Sequence, residues 1–187
     1  MAIYEGLWEG ITRLQPRTTL ALGYPEFKFG EEEDAYKLFE GIGSELICID
    51  HRKFDGREVV ANLNWPHDLG QFDLVLDHGT LEHCANIGQA LKTAVQSVKV
   101  DGHIIHVAPV TMVNHGYWNF CPIFFKDFYH INGFRVLKIS GVDLDQQPAQ
   151  IVYDHKFSEM KRNISAVVIA RKFEEREIVW PIQGSYK

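Results

Sequence analysis

Residues 72–83 read FDLVLDHGTLEH. Phe72 to Asp77 form a short apolar run closed by an aspartate, the pattern of a strand buried within a sheet. Residues 80–98, TLEHCANIGQALKTAVQSV, then place Ile87, Leu91, Ala94, Val95 and Val98 on one helical stripe, as a helix covering that sheet requires. A strand feeding a covering helix through a short turn is the repeating unit of an α/β sheet. His78 and Gly79 occupy the turn itself.

The alternation extends in both directions. Upstream, Ile3, Leu7, Ile11 and Leu14 predict a short amphipathic helix over 3–14, ended by Pro16. TTLALG at 18–23 predicts a first strand running into a glycine. EEEDAYKLFEG at 31–41 predicts a helix with its acidic residues in the first turn, at the positive end of the macrodipole. ELICID at 45–50 is a second strand and REVVANL at 57–63 a weaker third, joined to residue 72 by the turn-rich WPHDLGQ. Downstream, Asp101-Gly102 signals a turn before a fifth strand, HIIHVAP at 103–109. A helix over PIFFKDFYHIN at 122–132, with Pro122 in its first turn, precedes strands at 134–140 and 163–171. IVYDHKF at 151–157 reads equally as an edge strand or as loop. With no repeat and no linker, the 187 residues predict one domain with helices on both faces of a sheet.

Composition excludes several classes of function. The formal charge of −6, from 19 basic and 25 acidic residues, opposes broad phosphate neutralisation, so a nucleic-acid partner is not expected. No apolar run reaches the roughly eighteen residues of a membrane span, and the start MAIYEGLWEG lacks the basic and apolar regions of a signal peptide. The cytoplasm is the default expectation. Three cysteines without a CxxC pair, Cys48, Cys84 and Cys121, argue against a disulfide framework or a zinc knuckle. The tail FEEREIVWPIQGSYK at 173–187 carries Ile178, Val179, Trp180 and Ile182, an apolar face for the domain itself or for a second copy in a homodimer.

In open α/β sheets ligands bind beyond the carboxyl ends of the strands. That rule selects Gly23-Tyr24, Asp50-His51, Asn62-Leu63-Asn64, Asp77-His78-Gly79 and the loop that follows Pro109. Asp50 is placed to accept hydrogen bonds from both hydroxyls of a nucleoside ribose, or simply to cap a turn. Gly23 can let a ligand approach the backbone or can merely end the strand. GYPEFKFGEE at 23–32 contains neither GxGxxG nor a Walker motif, and its acidic residues would repel a pyrophosphate. NAD, FAD and ATP are thereby disfavoured, while a cofactor without phosphates escapes the objection.

His78, His83 and His115 can converge over the sheet edge, and His78 or His115 is suited to act as a general base near neutral pH. A metal site of Asp77, His78 and His83 is not expected, because all three would have to meet at one point. In the loop VTMVNHGYWNF at 110–120, Tyr117 and Trp118 are candidates for a substrate wall, or for packing. Cys84 beside His83 does not make a thiolate pair, since adjacent helical residues do not face each other.

Taken together, residues 72–109 resemble the class I S-adenosylmethionine-dependent methyltransferases. FDLVLD is similar to their fourth strand, Glu82-His83 to the pair that follows it, and Asp101-Gly102 to the turn that usually carries Pro-Gly-Gly. NHGYWNFCPIFFKDFYHINGFRV at 114–136 resembles their substrate loop at about 110–121, a helix and an N-G-F turn. The resemblance covers about 18–171 and implies a three-layer Rossmann-like fold. Its sheet would be mostly parallel and seven-stranded, with an antiparallel strand seven, residues 163–171, beside strand five.

The same resemblance implies that Asp50 binds the ribose of S-adenosylmethionine, with His51 beside it, Asn62 near the adenine N6 and Leu63 in the pocket. Asp77 and His78 would line the methionine and methyl-transfer region. Methyl transfer to an oxygen or nitrogen of a small-molecule acceptor, such as a sugar or metabolite, is the implied activity. An inactive methyltransferase-like binding or assembly protein is the alternative. The first loop motivates that alternative: Ala21-Leu22-Gly23-Tyr24-Pro25-Glu26 keeps one glycine of the family's three and lacks the carboxylate before it, for which Glu26 is the nearest substitute.

Overall fold

The structure, a computed structural model, describes residues 2–27, 30–54, 56–143, 150–152 and 163–183. Chain order runs β1 (Ala2–Ile3), α1 (Glu5–Leu14), β2 (Thr18–Leu22), β3 (Glu26–Phe27), α2 (Ala35–Gly41), β4 (Glu45–Asp50), β5 (Val59–Val60) and β6 (Phe72–Asp77). A 3-10 turn at Leu81–His83 follows, then α3 (Ile87–Gln96), β7 (Val98–Pro109), α4 (Pro122–Ile131), β8 (Phe134–Asp143), β9 (Gln150–Val152) and β10 (Ile164–Lys172).

The main sheet has the order β5-β4-β2-β6-β7-β10-β8-β9. Strands β5 to β7 are parallel, and β10 lies antiparallel between β7 and β8. The antiparallel strand expected beside strand five is therefore in place. β9 adds an eighth, antiparallel edge strand; residues 153–157 of the ambiguous stretch lie outside the described residues.

Side chains alternate across the sheet and so build two cores. Leu20, Leu22, Val75 and Ile104 pack with Leu91, Val95, Phe125 and Phe128 from α3 and α4. Ala21, Leu74, Leu76 and Ile105 pack with Leu7, Ile11 and Phe39 from α1 and α2. Each of these side chains is almost wholly removed from water, and a fully buried Val, Leu, Ile or Phe contributes about 1.5–3 kcal/mol. The three-layer α/β/α arrangement follows directly.

Several boundaries differ from the pattern-based expectation. The acidic run at 31–34 precedes α2 instead of filling its first turn, because Asp34 caps the helix by accepting from Tyr36 N at 2.9 Å. The helix expected over 80–98 starts only at Ile87. Asp77 Oδ1 captures the N–H groups of Thr80 (3.0 Å) and Leu81 (3.2 Å), a local bond that competes with helix. Asn86 then caps α3 through Gln89 N.

The third strand shrinks to two exposed valines on the edge of β4, and both connections around it, 51–58 and 61–71, run without a helix among the described residues. Asp101-Gly102 does not interrupt the fifth strand. β7 runs from Val98, with Asp101 at φ 69° and a register shift against Phe72/Leu74, so the turn signal appears as a bulge.

Within the described residues, the tail is fastened to α4 at Val179 and Trp180. Trp180 stacks on Phe128 of α4 with centroids 5.6 Å apart, and Asn132 exchanges two hydrogen bonds with the Val179 backbone (2.8 and 2.9 Å). No helix among the described residues is long and apolar enough to cross a membrane.

Candidate functional site

The carboxyl ends of β4, β5, β6 and β7 surround a cavity of about 720 Å³. Its walls include Asp50 and His51 after β4, Asn62, Leu63 and Asn64 after β5, Thr80, His83 and Cys84 after β6, and Asn114 to Tyr117 after β7. This size falls within the roughly 300–1,000 Å³ of small-molecule sites. A groove of about 800 Å³ lies at the other end of the sheet, between α4, the start of β8 and the end of β10. The strand-end rule favours the first.

Asp50 ends β4 with its side chain only 10% exposed. Its Oδ1 sits 2.8 Å from His51 Nδ1 and accepts from Arg52 N at 3.2 Å. Across the cavity, Asn62 Oδ1 organises its own loop by accepting from Asn64 N at 3.0 Å, and Leu63 is buried beneath it. Asn64 Oδ1 in turn receives Asn86 N at 2.7 Å, which ties this loop to the start of α3. Asp50, His51, Asn62, Leu63, His115 and Tyr117 thus stand around one space.

Gly23, Tyr24, Asp77, His78 and Trp118 are not among the residues that line this cavity. Asp77 is wholly buried, with Oδ2 accepting from His106 Nδ1 at 2.7 Å; Tyr129 completes the chain by donating its hydroxyl to His106 Nε2. Burial opposes the charge of Asp77, but His106 and the two backbone N–H groups outweigh it and hold the carboxyl below its usual range. This aspartate supports the turn and is not among the residues lining the cavity.

His78 is also buried and donates Nε2–H to the Tyr24 carbonyl at 3.0 Å. Burial pushes its pKa down to about 4. It is not among the residues that line the cavity, its Nε2–H is engaged by the Tyr24 carbonyl, and a pKa this low makes it a weaker base than an ordinary histidine. Trp118 donates Nε1–H to the Cys84 carbonyl at 2.9 Å and is a clasp, outside the cavity wall. Burial pushes the Cys84 thiol up to about 11, which disfavours the thiolate near neutral pH.

The first loop leaves no space for a side chain at residue 23. Gly23 has φ +82°, and a β-carbon there would lie 2.6 Å from Thr80 Oγ1, which donates to the Leu22 carbonyl. The Tyr24 hydroxyl accepts from Ala35 N at 3.2 Å, which fastens the loop to α2. Glu26 is exposed within β3 and does not line the cavity.

One group at the site escaped the sequence-based expectation. Glu82 has no exposed side-chain surface, and neither carboxylate oxygen has a hydrogen-bond partner. Burial, reinforced by the charge of Asp77, pushes its pKa up to about 8. His115 Nε2 lies 3.4 Å and His83 Nε2 4.0 Å from Glu82 Oε1. His115 is brought there by the 110–120 loop, whose Tyr117 N donates to the Glu82 carbonyl at 2.8 Å. Gly116 permits this approach, since a β-carbon at 116 would lie 2.8 Å from Glu82 Cγ. The legible signal was Glu82-His83 itself; the convergence of His115 upon it required the loop's path.

This architecture is that of the class I S-adenosylmethionine-dependent methyltransferase fold. TehB from Haemophilus influenzae superposes with a TM-score of 0.62 at 13% identity, over 90% of this chain and 62% of TehB. The chain thus spans less than two thirds of TehB's length. A SAM-dependent methyltransferase from Methanosarcina mazei matches with a TM-score of 0.58 at 12% identity, covering 94% of this chain and all (100%) of that one. The N-methyltransferase NodS from Bradyrhizobium japonicum WM9 matches with a TM-score of 0.54 at 12% identity, over 90% of this chain and 96% of NodS. At such identities the likeness is one of fold. No family model and no curated protein matches the sequence.

Proposed function

We propose that the cavity binds S-adenosylmethionine and that the chain methylates an oxygen or nitrogen of a small acceptor. The observation that carries this reading is the Asp50 carboxylate at the end of β4, facing the same 720 Å³ space as Asn62 and Leu63. These residues fit an adenosine: Asp50 for the ribose hydroxyls with His51 steadying the carboxylate, Asn62 for the adenine edge, Leu63 for its ring. The cofactor, when bound, supplies an electrophilic methyl group on a sulfonium.

Gly23 and Tyr24 would meet its amino-acid end, with Thr80 Oγ1 close against Gly23. The protein's own contribution is to align the acceptor and exclude water. Tyr117 walls the acceptor side, and Asp77 and His78 hold the floor from beneath. His115 is the predicted base that reaches the cavity. Burial and the neighbouring His83 keep it below the ordinary histidine value, so it is neutral near pH 7 and able to take a proton or a cation. The free thiols of Cys48, Cys84 and Cys121 suit a reducing compartment such as the cytoplasm.

The altered first loop, with one glycine and no carboxylate before it, favours a second reading, a methyltransferase-like binding or assembly protein without catalysis. Calorimetric titration with S-adenosylmethionine and S-adenosylhomocysteine separates the two, and absence of heat at millimolar ligand overturns the enzyme reading. Given binding, Asp50→Ala is expected to weaken it about 10- to 100-fold, the value of losing hydrogen bonds to a charged acceptor. An unchanged affinity rejects the ribose role.

A further inference from the structure

We propose that Glu82, His83 and His115 bind one divalent first-row transition-metal ion at the acceptor end of the cavity, in which the ion would take an oxygen of the acceptor. Among the described residues, these three each offer a ligand atom, and the atoms lie within 4.8 Å of one another. Tetrahedral ligands about 2.1 Å from a metal stand about 3.4 Å apart. The Glu82–His115 separation of 3.4 Å already meets this, and the Glu82–His83 separation of 4.0 Å needs a small side-chain rotation. The imidazole rings of His83 and His115 lie 5.2 Å apart, on the cavity side of the carboxylate.

An independent observation points to a missing partner. Glu82 is a wholly buried carboxylate whose two oxygens make no hydrogen bond, and His115 Nε2, its nearest neighbour, has none either. Buried carboxylates are ordinarily paired or metal-bound, because desolvation without a partner costs several kcal/mol. The chain nevertheless folds its 110–120 loop onto this carboxylate and needs a glycine at 116 to do so. A cation between the three groups satisfies all of them at once.

The donor set selects the ion. Two imidazoles and one carboxylate without a thiolate suit zinc, iron, cobalt or nickel better than magnesium or calcium. Three protein ligands leave open positions, as in catalytic sites, and the wall beyond them is Thr80, Asn114 and Tyr117. This deepens the methyltransferase reading and rests on it: a hydroxyl held by the ion would give its proton to solvent water more readily, its oxygen would take the sulfonium methyl, and the thioether would leave, which favours oxygen over nitrogen. His115 then serves as a ligand and not as the base.

Metal binding is testable without turnover. Untagged protein, stripped with chelator, is titrated with Zn²⁺ and with Co²⁺, following metal content after dialysis and the visible absorption of cobalt. One ion per chain is expected, with a cobalt spectrum of low coordination number. His83→Ala and His115→Ala, both at partly exposed positions, are each expected to weaken binding more than about 100-fold, since even outer-shell partners of ligands are worth about 10–100-fold. Glu82→Gln should do the same, with its fold checked by circular dichroism. Stoichiometric binding that survives in both histidine variants, or no binding at millimolar metal, overturns the proposal. The S-adenosylmethionine titration is run on the stripped protein in parallel. Metal binding without cofactor binding sinks the methyltransferase reading alone, and the reverse sinks only the metal site.

Discussion

His78 shows how burial changes what a single residue can do. Its Nε2–H is spent on the Tyr24 carbonyl, and Nδ1 is buried without a partner. A proton on Nδ1 would place an unpaired charge inside the protein, which is why the pKa falls from 6.5 to about 4. The unfolded chain binds that proton below about pH 6.5 while the folded chain does not. Stability from this residue is therefore fully present above 6.5 and is lost progressively as pH falls towards 4. The loss is on the order of 3 kcal/mol at most, because each tenfold drop in proton affinity corresponds to about 1.4 kcal/mol. Urea unfolding followed from about pH 7.5 to about pH 4.5 should show this decline, and His78→Gln should flatten it. A parallel decline in the variant assigns the pH dependence to other groups.

At the scale of elements, three of them meet at one polar chain: Asp77 from β6, His106 from β7 and Tyr129 from α4, all fully buried. Hydrogen bonds satisfy both nitrogens of His106, so the network adds direction to a junction otherwise built from Val75, Ile104 and Phe125. Removing its middle member strands both a carboxylate and a phenol. His106→Ala is expected to cost about 3–5 kcal/mol, read as a lower urea midpoint with an unchanged slope. His106→Gln, which keeps one bond at each end, should recover part of it. A loss below about 1 kcal/mol for His106→Ala would mean that the surrounding apolar packing suffices.

For the whole molecule, the tail decides how α4 is finished. Trp180 lies on Phe128 and beside Gly88, bridging α4 to α3 across the outside of the core they share. Because it remains 49% exposed, its contribution is that of half an aromatic side chain, and Trp180→Ala should lower stability by about 1–2 kcal/mol. The same variant tests the tail as a contact between copies. If sedimentation shows a dimer in the wild type that the variant loses, the exposed half of Trp180 is where a second chain rests.

Much of this fold is legible from residue order. FDLVLD and ELICID become strands at the expected residues, because a run apolar on both faces has no stable place other than the middle of a sheet. Residues 164–172, apolar on both faces in the same way, settle between β7 and β8. The helix boundaries at 35 and 87 were not legible, because caps by Asp34 and Asn86, and the capture of backbone by Asp77, outcompeted periodicity. By itself the sequence determined the layers and which loops share the carboxyl edge of the sheet, since both follow from hydrophobic period and strand polarity. Only the tertiary structure decided which polar residues at that edge face inward. Asp77 and His78 turned into the protein, while His115, far along the chain from Glu82, turned back onto it. Such orientations depend on a bond to a distant backbone group, Tyr24 for His78 and Glu82 for the loop of Tyr117, and no local pattern encodes a partner so far along the chain.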